Sequence, residues 1–468
     1  MLLAGLLLAG CSEDPTAPLA SLIEPVAGAD QLGPQGSALP EPVIIRVLDG
    51  SGDPMPDVAV EWRVIEGGGS VAPVDARTDA AGEARAHWSL GFDAGQNLLL
   101  VSARGATLTV RATSRRWVAS VTAGGAHTCA LSTLGEAYCW GANGSGQLGD
   151  GSETARAEPA AVDGGIRFRT LSAGWSHTCG VTAAGTAYCW GDNREGQLGI
   201  GATPRAHAPV RVDAPQPFSR ISAGFIHTCA LTEAGAAYCW GGNAQRQLGT
   251  GDGQGADTPR PVAGATPLRH ISTGEFHTCA VGTDGRGYCW GWNSLGEVGT
   301  GAARGSLVDT PTELAGGLSI DRVAAGVRHS CATDTDGALH CWGRNGSGEV
   351  GTPPFHHQDT PYPLFASGVF GRVGAGNVHS CAAGADPGAA QPAARAIFCW
   401  GADGFNDLGP TPAPILTEAE DALAVGVAHT CGIRAGSVWC WGTNAAGQLG
   451  IAGVAGSAQP VQVRLPGQ

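Results

Sequence analysis

Seven short segments of the chain combine histidine with two cysteines at spacings that could support chemistry. A His-Thr-Cys or His-Ser-Cys tripeptide recurs at steps of 50 or 52 residues, and a Cys-Trp-Gly tripeptide follows each copy. Such a set could bind zinc, form a disulfide or keep buried thiols, and its histidine could be catalytic. We number the units one to seven by their histidines, which are His127, His177, His227, His277, His329, His379 and His429.

The spacing of the cysteines favours a disulfide within each unit. In five units nine residues separate the two cysteines, and a Gly-containing turn lies between them. Such residues face each other on adjacent hairpin strands, at a Cα separation of about 5.5 Å that a disulfide can bridge. Zinc would require the second cysteine to reach over to a His-x-Cys pair, and free buried thiols are the third alternative. The predicted pairs are Cys129 with Cys139, Cys179 with Cys189, Cys229 with Cys239, Cys279 with Cys289, Cys331 with Cys341, Cys381 with Cys399, and Cys431 with Cys440.

Other catalytic signals in the chain are weak. A histidine that recurs in every unit performs one role seven times, which indicates a role in the fold. The chain has no lysine for a phosphate-binding loop. The acidic turns at residues 150–153 and 252–257 could hold calcium, and carboxylates distant in sequence could converge in a hydrolase site. We predict a protein that is not an enzyme and has no catalytic residue, metal site or cofactor.

The composition restricts the class of protein further. Among 468 residues there are 75 glycines and 29 prolines, yet 43% of the chain is hydrophobic and only 15% is charged. A chain this apolar is not disordered, and its many turn residues indicate an all-β protein. The 41 acidic residues outnumber the 27 basic ones and give a formal charge of -14. Nucleic acid is therefore disfavoured as a partner.

The strands that must position the histidines and cysteines are short. In unit two the sequence predicts strands at residues 168–173, 177–182, 186–190 and 209–212, separated by glycine-containing turns. Four antiparallel strands in about 50 residues are typical of a propeller blade. Seven blades close into a ring, which buries the apolar face and the bare edges of each one. The predicted fold class is therefore an all-β, seven-bladed β-propeller over residues 116–468.

The units also resemble a known repeat family. Their pattern is Ala-Gly-x-x-His-[Thr/Ser]-x-Ala-Leu, a Gly turn, and Tyr-x-Trp-Gly-x-Asn-x-x-Gly-Gln-Leu-Gly. It resembles the regulator of chromosome condensation repeat family, and the likeness covers residues 116–468. The resemblance implies a seven-bladed propeller in which the histidine is structural. That family includes a nuclear exchange factor for a small GTPase, which an exported protein would not meet, and secreted inhibitors of β-lactamases.

Residues 25–113 have a different pattern. Alternating apolar residues at 42–48 and 58–64, and further runs at 78–88, 98–102 and 106–112, predict half-buried strands. The segment from Pro56 to Trp62, with Thr78, Gly82 and Trp88, resembles bacterial immunoglobulin-like domains of the invasin and intimin type. This resemblance implies a β-sandwich that acts as a spacer on cell-surface proteins.

The first residues indicate export and a lipid anchor. Residues 1–10 are apolar but too short to span a bilayer, and their length is typical of the core of a signal peptide. Residues 8–11, Leu-Ala-Gly-Cys, resemble the lipobox of bacterial lipoproteins, which implies that Cys11 is acylated. Residues 12–24 are typical of a tether. We expect an outer-membrane lipoprotein of the bacterial cell envelope that contacts the membrane only through this anchor.

Positions that differ between matching units indicate the function. Two such positions lie between the glycine and the histidine of each unit, and four of them carry Trp175, Phe225, Phe276 and Arg328. These residue types are common anchors of protein interfaces. The alternative is ordinary contact with the next blade. We expect a non-catalytic protein that binds a protein or surface polymer through one propeller face. The alternatives are an inhibitor of an extracytoplasmic enzyme and a hydrolase with its site in the central funnel.

The lipobox generates a direct prediction. Metabolic labelling with palmitate should mark the protein, and Cys11→Ala should abolish both the label and its membrane fractionation, because an acyl chain supplies the membrane affinity. Cys129→Ala serves as the control and should keep the label. Unchanged fractionation of Cys11→Ala would contradict the anchor.

Overall fold

The computed structural model describes residues 20, 22–35, 37–91, 95–115, 117–264, 266–365, 370–385, 395–403, 407–419 and 422–466. Contacts divide the chain into two compact units, Met1–Arg116 and Trp117–Gln468. The predicted signal segment, Cys11 and most of the predicted tether lie outside the described residues. In the described part of the chain, no helix has the length and apolar character needed to cross a membrane.

The described part of the first compact unit contains two four-stranded sheets. Their strand orders are β1-β3-β6-β5 and β2-β8-β7-β4, and β2 pairs with β8 in parallel. Buried side chains of both sheets, including Ile45, Trp88 and Leu99, belong to one hydrophobic cluster. The strands are β1 (Leu22–Ala27), β2 (Gln31–Pro34), β3 (Val43–Leu48), β4 (Glu61–Glu66), β5 (Gly69–Pro73), β6 (Glu83–Leu90), β7 (Gly95–Ala103) and β8 (Ala106–Arg115).

Two predicted strands of this unit begin later than expected, and the first is β4, which begins at Glu61 where the prediction began at residue 58. The sequence predicts a strand at residues 78–88, whereas β6 begins at Glu83. The Asp79 side chain accepts hydrogen bonds from the backbone N–H groups of Ala81 and Glu83, which holds residues 79–83 in a turn.

The described part of the second compact unit contains seven four-stranded sheets, one for each sequence unit. The first four consist of β9 (Val118–Ala123), β10 (His127–Ser132), β11 (Ala137–Gly141) and β12 (Arg156–Ala161); β13 (Phe168–Ala173), β14 (His177–Thr182), β15 (Ala187–Asp192) and β16 (Arg205–Arg211); β17 (Arg220–Ala223), β18 (His227–Leu231), β19 (Ala237–Gly241) and β20 (Ala256–Pro261); and β21 (Leu268–Thr273), β22 (His277–Gly282), β23 (Gly287–Asn293) and β24 (Ser306–Glu313).

The last three sheets consist of β25 (Ile320–Ala325), β26 (His329–Asp334), β27 (Leu339–Gly343) and β28 (Gln358–Phe365); β29 (Phe370–Ala375), β30 (His379–Ala385), β31 (Arg395–Ala402) and β32 (Asp407–Thr417); and β33 (Leu423–Val425), β34 (His429–Arg434), β35 (Ser437–Thr443) and β36 (Gly456–Val463). A one-turn 3₁₀ helix, Asp163–Gly165, follows β12.

Each sheet is an antiparallel meander whose strands neighbour one another in chain order. The four strands predicted in unit two are all present, with shifts of a few residues at the third and fourth. The first strands of successive sheets contact one another in series from β9 to β33, and β33 also contacts β9. The first strands therefore lie together at the centre of the second compact unit.

The six repeated asparagines after Trp-Gly organise the long turn between the third and fourth strands. In unit one, Asn143 accepts a hydrogen bond from the Leu148 N–H (3.0 Å) and donates to the carbonyls of Ser152 (3.0 Å) and Thr154 (3.1 Å). The amide side chain thus replaces backbone pairing inside a buried turn. Equivalent bonds are made by Asn193, Asn243, Asn293, Asn345 and Asn444.

A disulfide joins the second and third strands of every sheet, at each of the seven predicted pairs. The paired cysteines lie directly opposite in the hairpin register, for example Cys229 against Cys239. Their Cα atoms are 4.1 Å apart in that pair, closer than the predicted separation of about 5.5 Å. The narrow type of antiparallel pair, in which side chains approach more closely, accounts for the difference.

The tryptophan of each Cys-Trp-Gly tripeptide packs against the preceding sheet. Trp290, for instance, is fully buried in the same cluster as the disulfide of Cys229 and Cys239. A side chain on Gly249 would collide with the indole, since a Cβ there would lie 2.6 Å from Nε1 of Trp290, and the residue has a φ of +67°. Packing between neighbouring sheets therefore explains both the repeated tryptophan and the glycine of Gln-Leu-Gly.

The seven histidines connect neighbouring sheets through hydrogen bonds. Nε2 of His177 lies 2.9 Å from Oγ1 of Thr228, the residue after the next histidine. The same contact recurs at 2.7 to 2.9 Å from every histidine to the hydroxyl of the following unit, and His429 contacts Thr128 of unit one. In six units this hydroxyl donates to a backbone carbonyl, as Thr228 does to Gln197 (2.7 Å).

These bonds fix the proton position on six of the histidines, all except His379. Because the Thr228 hydroxyl donates its hydrogen to Gln197, it can only accept from His177, so Nε2 of His177 carries the proton. The Gln197 carbonyl also accepts a bond from Nε1 of Trp240 (2.9 Å). One carbonyl thus accepts hydrogen bonds from two side chains of the next sheet. We call this arrangement the histidine relay.

Burial keeps the relay histidines neutral. In six of the seven, which are His127, His177, His227, His329, His379 and His429, Nδ1 is buried and has no hydrogen-bond partner in the described residues. A second proton would therefore be desolvated without compensation. Burial lowers the pKa of His127, His227, His277, His329 and His429 from 6.5 to about 3, and that of His177 and His379 to about 4.

The relay predicts that the protein loses stability in mild acid. Since the pKa of each histidine is lowered on folding, its contribution is complete above pH 6.5. It falls with pH as the unfolded chain takes up protons that the folded state excludes, by up to about 1.4 kcal/mol per pH unit for each histidine. Urea unfolding with the disulfides intact should show a decreasing free energy of unfolding from pH 7.5 to 4.5. Equal values at both ends would contradict the prediction.

The disulfides predict a second measurable effect. The double substitution Cys229→Ser, Cys239→Ser should lower the free energy of unfolding by about 2 to 3 kcal/mol, because it releases a short loop in the unfolded chain. Non-reducing peptide mapping of the unmodified protein should recover seven links, each within one unit. Peptides linked across units would contradict the pairing.

Candidate partner-binding face

The variable positions between glycine and histidine lie in the loop that joins the first two strands of each sheet. In units one to five and seven, the N–H of the first variable residue donates to the glycine carbonyl of the following unit, as Trp175 does to Gly224 (3.0 Å). A side chain on Gly174 would place its Cβ 2.4 Å from that same carbonyl oxygen. The glycines therefore bring the loops together around a central cavity of about 100 Å³.

A third variable position lies next to these loops. The residue between Gly and Asn in Trp-Gly-x-Asn donates a backbone hydrogen bond to the carbonyl of the second variable residue of the same unit. Trp292, for example, donates to the carbonyl of Phe276 (2.9 Å). Trp292 was not among the predicted site residues. The signal that could have found it is the variation at this position, which carries Ala142, Asp192, Gly242, Trp292, Arg344, Ala402 and Thr443.

The four residues predicted from sequence lie in one continuous array. Ring centroids of Trp175 and Phe225 are 4.5 Å apart, and those of Phe225 and Phe276 are 5.6 Å apart. Phe276 lies 5.6 Å from Trp292, and the guanidinium of Arg328 lies 4.4 Å from the Trp292 ring centroid. The array thus extends without interruption from unit two to unit five.

An ion pair fixes the end of the array. Nε of Arg328 donates to a carboxylate oxygen of Glu275 at 2.8 Å, and the two side chains are only 30% and 15% exposed. Glu275 is a second residue that sequence reasoning missed, although it occupies a variable position. The pair holds the guanidinium over the indole face of Trp292, where a cation is attracted to the ring.

The array is accessible and ordered by its own contacts. Trp175 is 40% exposed, whereas Phe225, Phe276 and Trp292 are half-buried. Edge-to-face contacts of this kind restrict the rings before any partner arrives, so less side-chain entropy is lost on binding. The equivalent positions of units one, six and seven carry Gly125, Ala126, Asn377, Val378, Val427 and Ala428, which continue neither the rings nor the charge. We call the array from Trp175 to Arg328 the aromatic face.

The residues that could bind a metal have other partners in the structure. The cysteines of each unit are joined in disulfides, and the histidines bond to hydroxyl groups. The acidic turns are paired with arginine, since Asp150 contacts Arg156 (3.0 Å) and Asp252 contacts Arg260 (3.0 Å). The hydrogen bond from Arg260 lowers the pKa of Asp252 to about 2. No group of three potential ligands is present among the described residues.

The repeated four-stranded sheets define an all-β, propeller-like fold, and comparison with known proteins agrees. A family model for the RCC1-like domain matches residues 86–413. The match spans more than half of the chain, and the chain belongs to this family. No curated protein matches the sequence.

Two solved structures illustrate the likeness. Human WBSCR16 superposes with a TM-score of 0.62 at 20% identity, over 71% of this chain and 94% of its own. Prp20p from Saccharomyces cerevisiae, described with its binding to Gsp1p and histones, superposes with a TM-score of 0.50 at 23% identity, over 75% of this chain and 77% of its own. At these identities the similarity concerns the fold.

Proposed function

We propose that this protein is a non-catalytic binding protein whose aromatic face holds another protein. The observation that carries the proposal is the unbroken array from Trp175 to Arg328. Tryptophan, tyrosine and arginine are the residue types that contribute most to protein interfaces, and they act best where neighbours hold them in place. The polar ion pair of Glu275 and Arg328 at one end supplies the charged rim of such an interface.

We also infer that the seven sheets are the blades of one closed seven-bladed propeller. Contacts between the first and last sheets support this inference. Thr128 of unit one donates to the Gln448 carbonyl of unit seven (2.8 Å), and Trp140 donates to the same carbonyl (2.9 Å). The Val427 N–H donates to the Gly124 carbonyl (3.2 Å). Equivalent bonds join the other neighbouring sheets from unit one to unit six.

The setting that we propose is the bacterial cell envelope. Seven disulfides favour an oxidising compartment outside the cytoplasm. The proposed acylation of Cys11 would anchor the chain. The two sheets of the first compact unit, which share one core, would form an immunoglobulin-like spacer between anchor and propeller.

A structural relative supports the choice of a protein as the partner. Prp20p is described as binding the proteins Gsp1p and histones. A propeller of this family can therefore serve as a protein-binding surface.

The proposal is tested by affinity capture with the full chain. Immobilised protein is incubated with an envelope extract of its source cell, and captured proteins are compared with those bound by a Trp175→Ala, Phe225→Ala double variant. Removal of the Trp175 and Phe225 rings should reduce recovery of the specific partner at least about tenfold.

Leu134→Ala provides the matched control. Leu134 is 57% exposed and lies in the hairpin between β10 and β11, at the opposite end of the strands from the aromatic face. This variant should recover the partner like the unmodified protein. Equal recovery by the double variant, or capture of a polysaccharide in place of a protein, would refute the proposal.

A further inference from the structure

The long turn of unit five carries the most exposed large apolar side chain of the described residues. Phe355 is 80% exposed, whereas Trp175, the most accessible residue of the aromatic face, is 40% exposed. Pro353 and Pro354 directly before it are also exposed, so the tip of the turn presents three apolar residues in a row. Single exposed apolar residues are common on protein surfaces. The conformation of this turn and its position in the fold distinguish Phe355 from them.

The sequence of this turn differs from that of the matching turns. In units one to four, the second residue after the glycine of Gln-Leu-Gly is again glycine, with a φ of +74° or +81°. Unit five has Pro353 at this position, and the proline ring fixes φ near about −65°. The left-handed residue of the turn is instead Phe355, with a φ of +69°. This conformation is unfavourable for a residue that has a Cβ atom.

The aromatic ring at this position is specific to unit five. The position four residues after the same glycine carries Glu153, Thr203, Gly253, Ala303, Phe355 and Val454 in units one to five and seven. A left-handed aromatic residue that remains 80% exposed contributes little to the stability of its own chain. Residues held in an unfavourable conformation are concentrated at functional sites.

Hydrogen bonds to one buried residue hold the turn in place. The side-chain amide of Asn345 donates to the carbonyls of Thr352 (3.1 Å) and Pro353 (2.9 Å). The backbone carbonyl of Asn345 accepts a bond from the Phe355 N–H, and its backbone N–H donates to Nδ1 of His357 (2.8 Å). Residues on both sides of the tip are thus fixed before any partner arrives, which reduces the entropy lost on binding.

The turn lies next to the end of the aromatic face. In an antiparallel meander, the loop after the first strand and the turn after the third strand lie at the same end of the sheet. In unit five the two are bonded, because the Arg344 N–H donates to the Arg328 carbonyl (2.8 Å). Arg328 is the last residue of the aromatic face, and Asn345, which holds Phe355, directly follows Arg344. The tip therefore continues the surface beyond its Arg328 end.

We propose that Phe355 is a protruding anchor that inserts into an apolar pocket of the same partner protein that the aromatic face binds. This inference rests on the proposed function and restricts the partner to a protein with a concave apolar site. Aromatic side chains that fill such pockets are among the largest contributors to interface affinity. A membrane surface is disfavoured as the occupant, since a tip of three apolar residues buries little area and a formal charge of -14 is repelled by anionic lipids.

Site-specific photo-crosslinking in the source cell tests the proposal. The full chain with Phe355→p-benzoylphenylalanine should give one protein adduct of defined mass, and peptide mapping should place the link on an apolar residue of the partner. The Trp175→Ala, Phe225→Ala double substitution should reduce this adduct at least about tenfold, because both sites hold one partner. Val454→p-benzoylphenylalanine is the matched control. Val454 occupies the same position in unit seven and is 45% exposed, and it should not give this adduct.

Binding of the crosslinked protein, purified in its free form, supplies the affinity. In a titration with the full chain, Phe355→Ala should weaken binding by about tenfold or more, and Val454→Ala should leave it unchanged. Phe355→Gly should weaken binding equally, yet melt no lower than the unmodified protein, because glycine adopts a positive φ without strain. This thermal measurement separates a lost anchor from a damaged fold.

The outcomes distinguish this inference from the proposed function. No adduct at position 355, an adduct with a lipid or with a second copy of the chain, or unchanged affinity in Phe355→Ala would overturn the anchor. So would an adduct that survives the double substitution, since Phe355 would then act apart from the aromatic face. A partner that depends on Trp175 and Phe225 but not on Phe355 would leave the proposed function standing. Equal capture by the double variant would refute the proposed function itself.

Discussion

The histidine relay is the interaction on which the second compact unit depends. In six of the seven links among the described residues, a protonated Nε2, a hydroxyl and a carbonyl are joined, and the carbonyl receives a second bond from the tryptophan of the next unit, as Gln197 does from Trp240. This geometry requires a neutral buried histidine, a hydroxyl residue directly after it, and a tryptophan whose ring reaches the preceding sheet. The repeated tripeptides therefore describe one bonded arrangement, in which the disulfide keeps the two strands that carry these side chains in register.

The sixth unit shows what the relay costs when one part is changed. Its turn reads Asp407-Leu408-Gly409, and Asp407 begins the long strand β32 instead of occupying a turn. Trp441 of unit seven, which would bond to the carbonyl from this turn, is buried and its Nε1 has no partner in the described residues. An unpaired buried N–H costs about 1 to 3 kcal/mol. The contact between units six and seven therefore lacks one of the bonds that the other neighbouring sheets share.

Sequence reasoning reached the features that repeat. A spacing of nine residues around a Gly turn fixes the register of a hairpin, so the disulfides could be predicted one by one. Trp292 and Glu275 escaped prediction because a single sequence shows that a position varies but not which variable positions touch. The Cα distance between the paired cysteines was overestimated, because it depends on whether the two residues form a hydrogen-bonded or a non-hydrogen-bonded antiparallel pair. The sequence spacing does not show which type of pair forms.

The two unrepeated sets of residues break the sevenfold pattern on the same side. The aromatic face uses units two to five, and units three to six carry the basic residues Arg220, His270, Arg322 and Arg372 at one equivalent position of their first strands. If all seven units carried the same side chain, the charges or aromatic groups would be distributed symmetrically about the centre. Such a symmetric surface could recognise only a ligand on its axis. Because each set is restricted to four consecutive units, one side of the surface at each end of the strands differs from the other. The buried histidine relay does not use these positions. The residues that stabilise the fold are therefore separate from those of the proposed binding face, because the relay uses buried positions and the aromatic face uses loop positions that the relay does not touch.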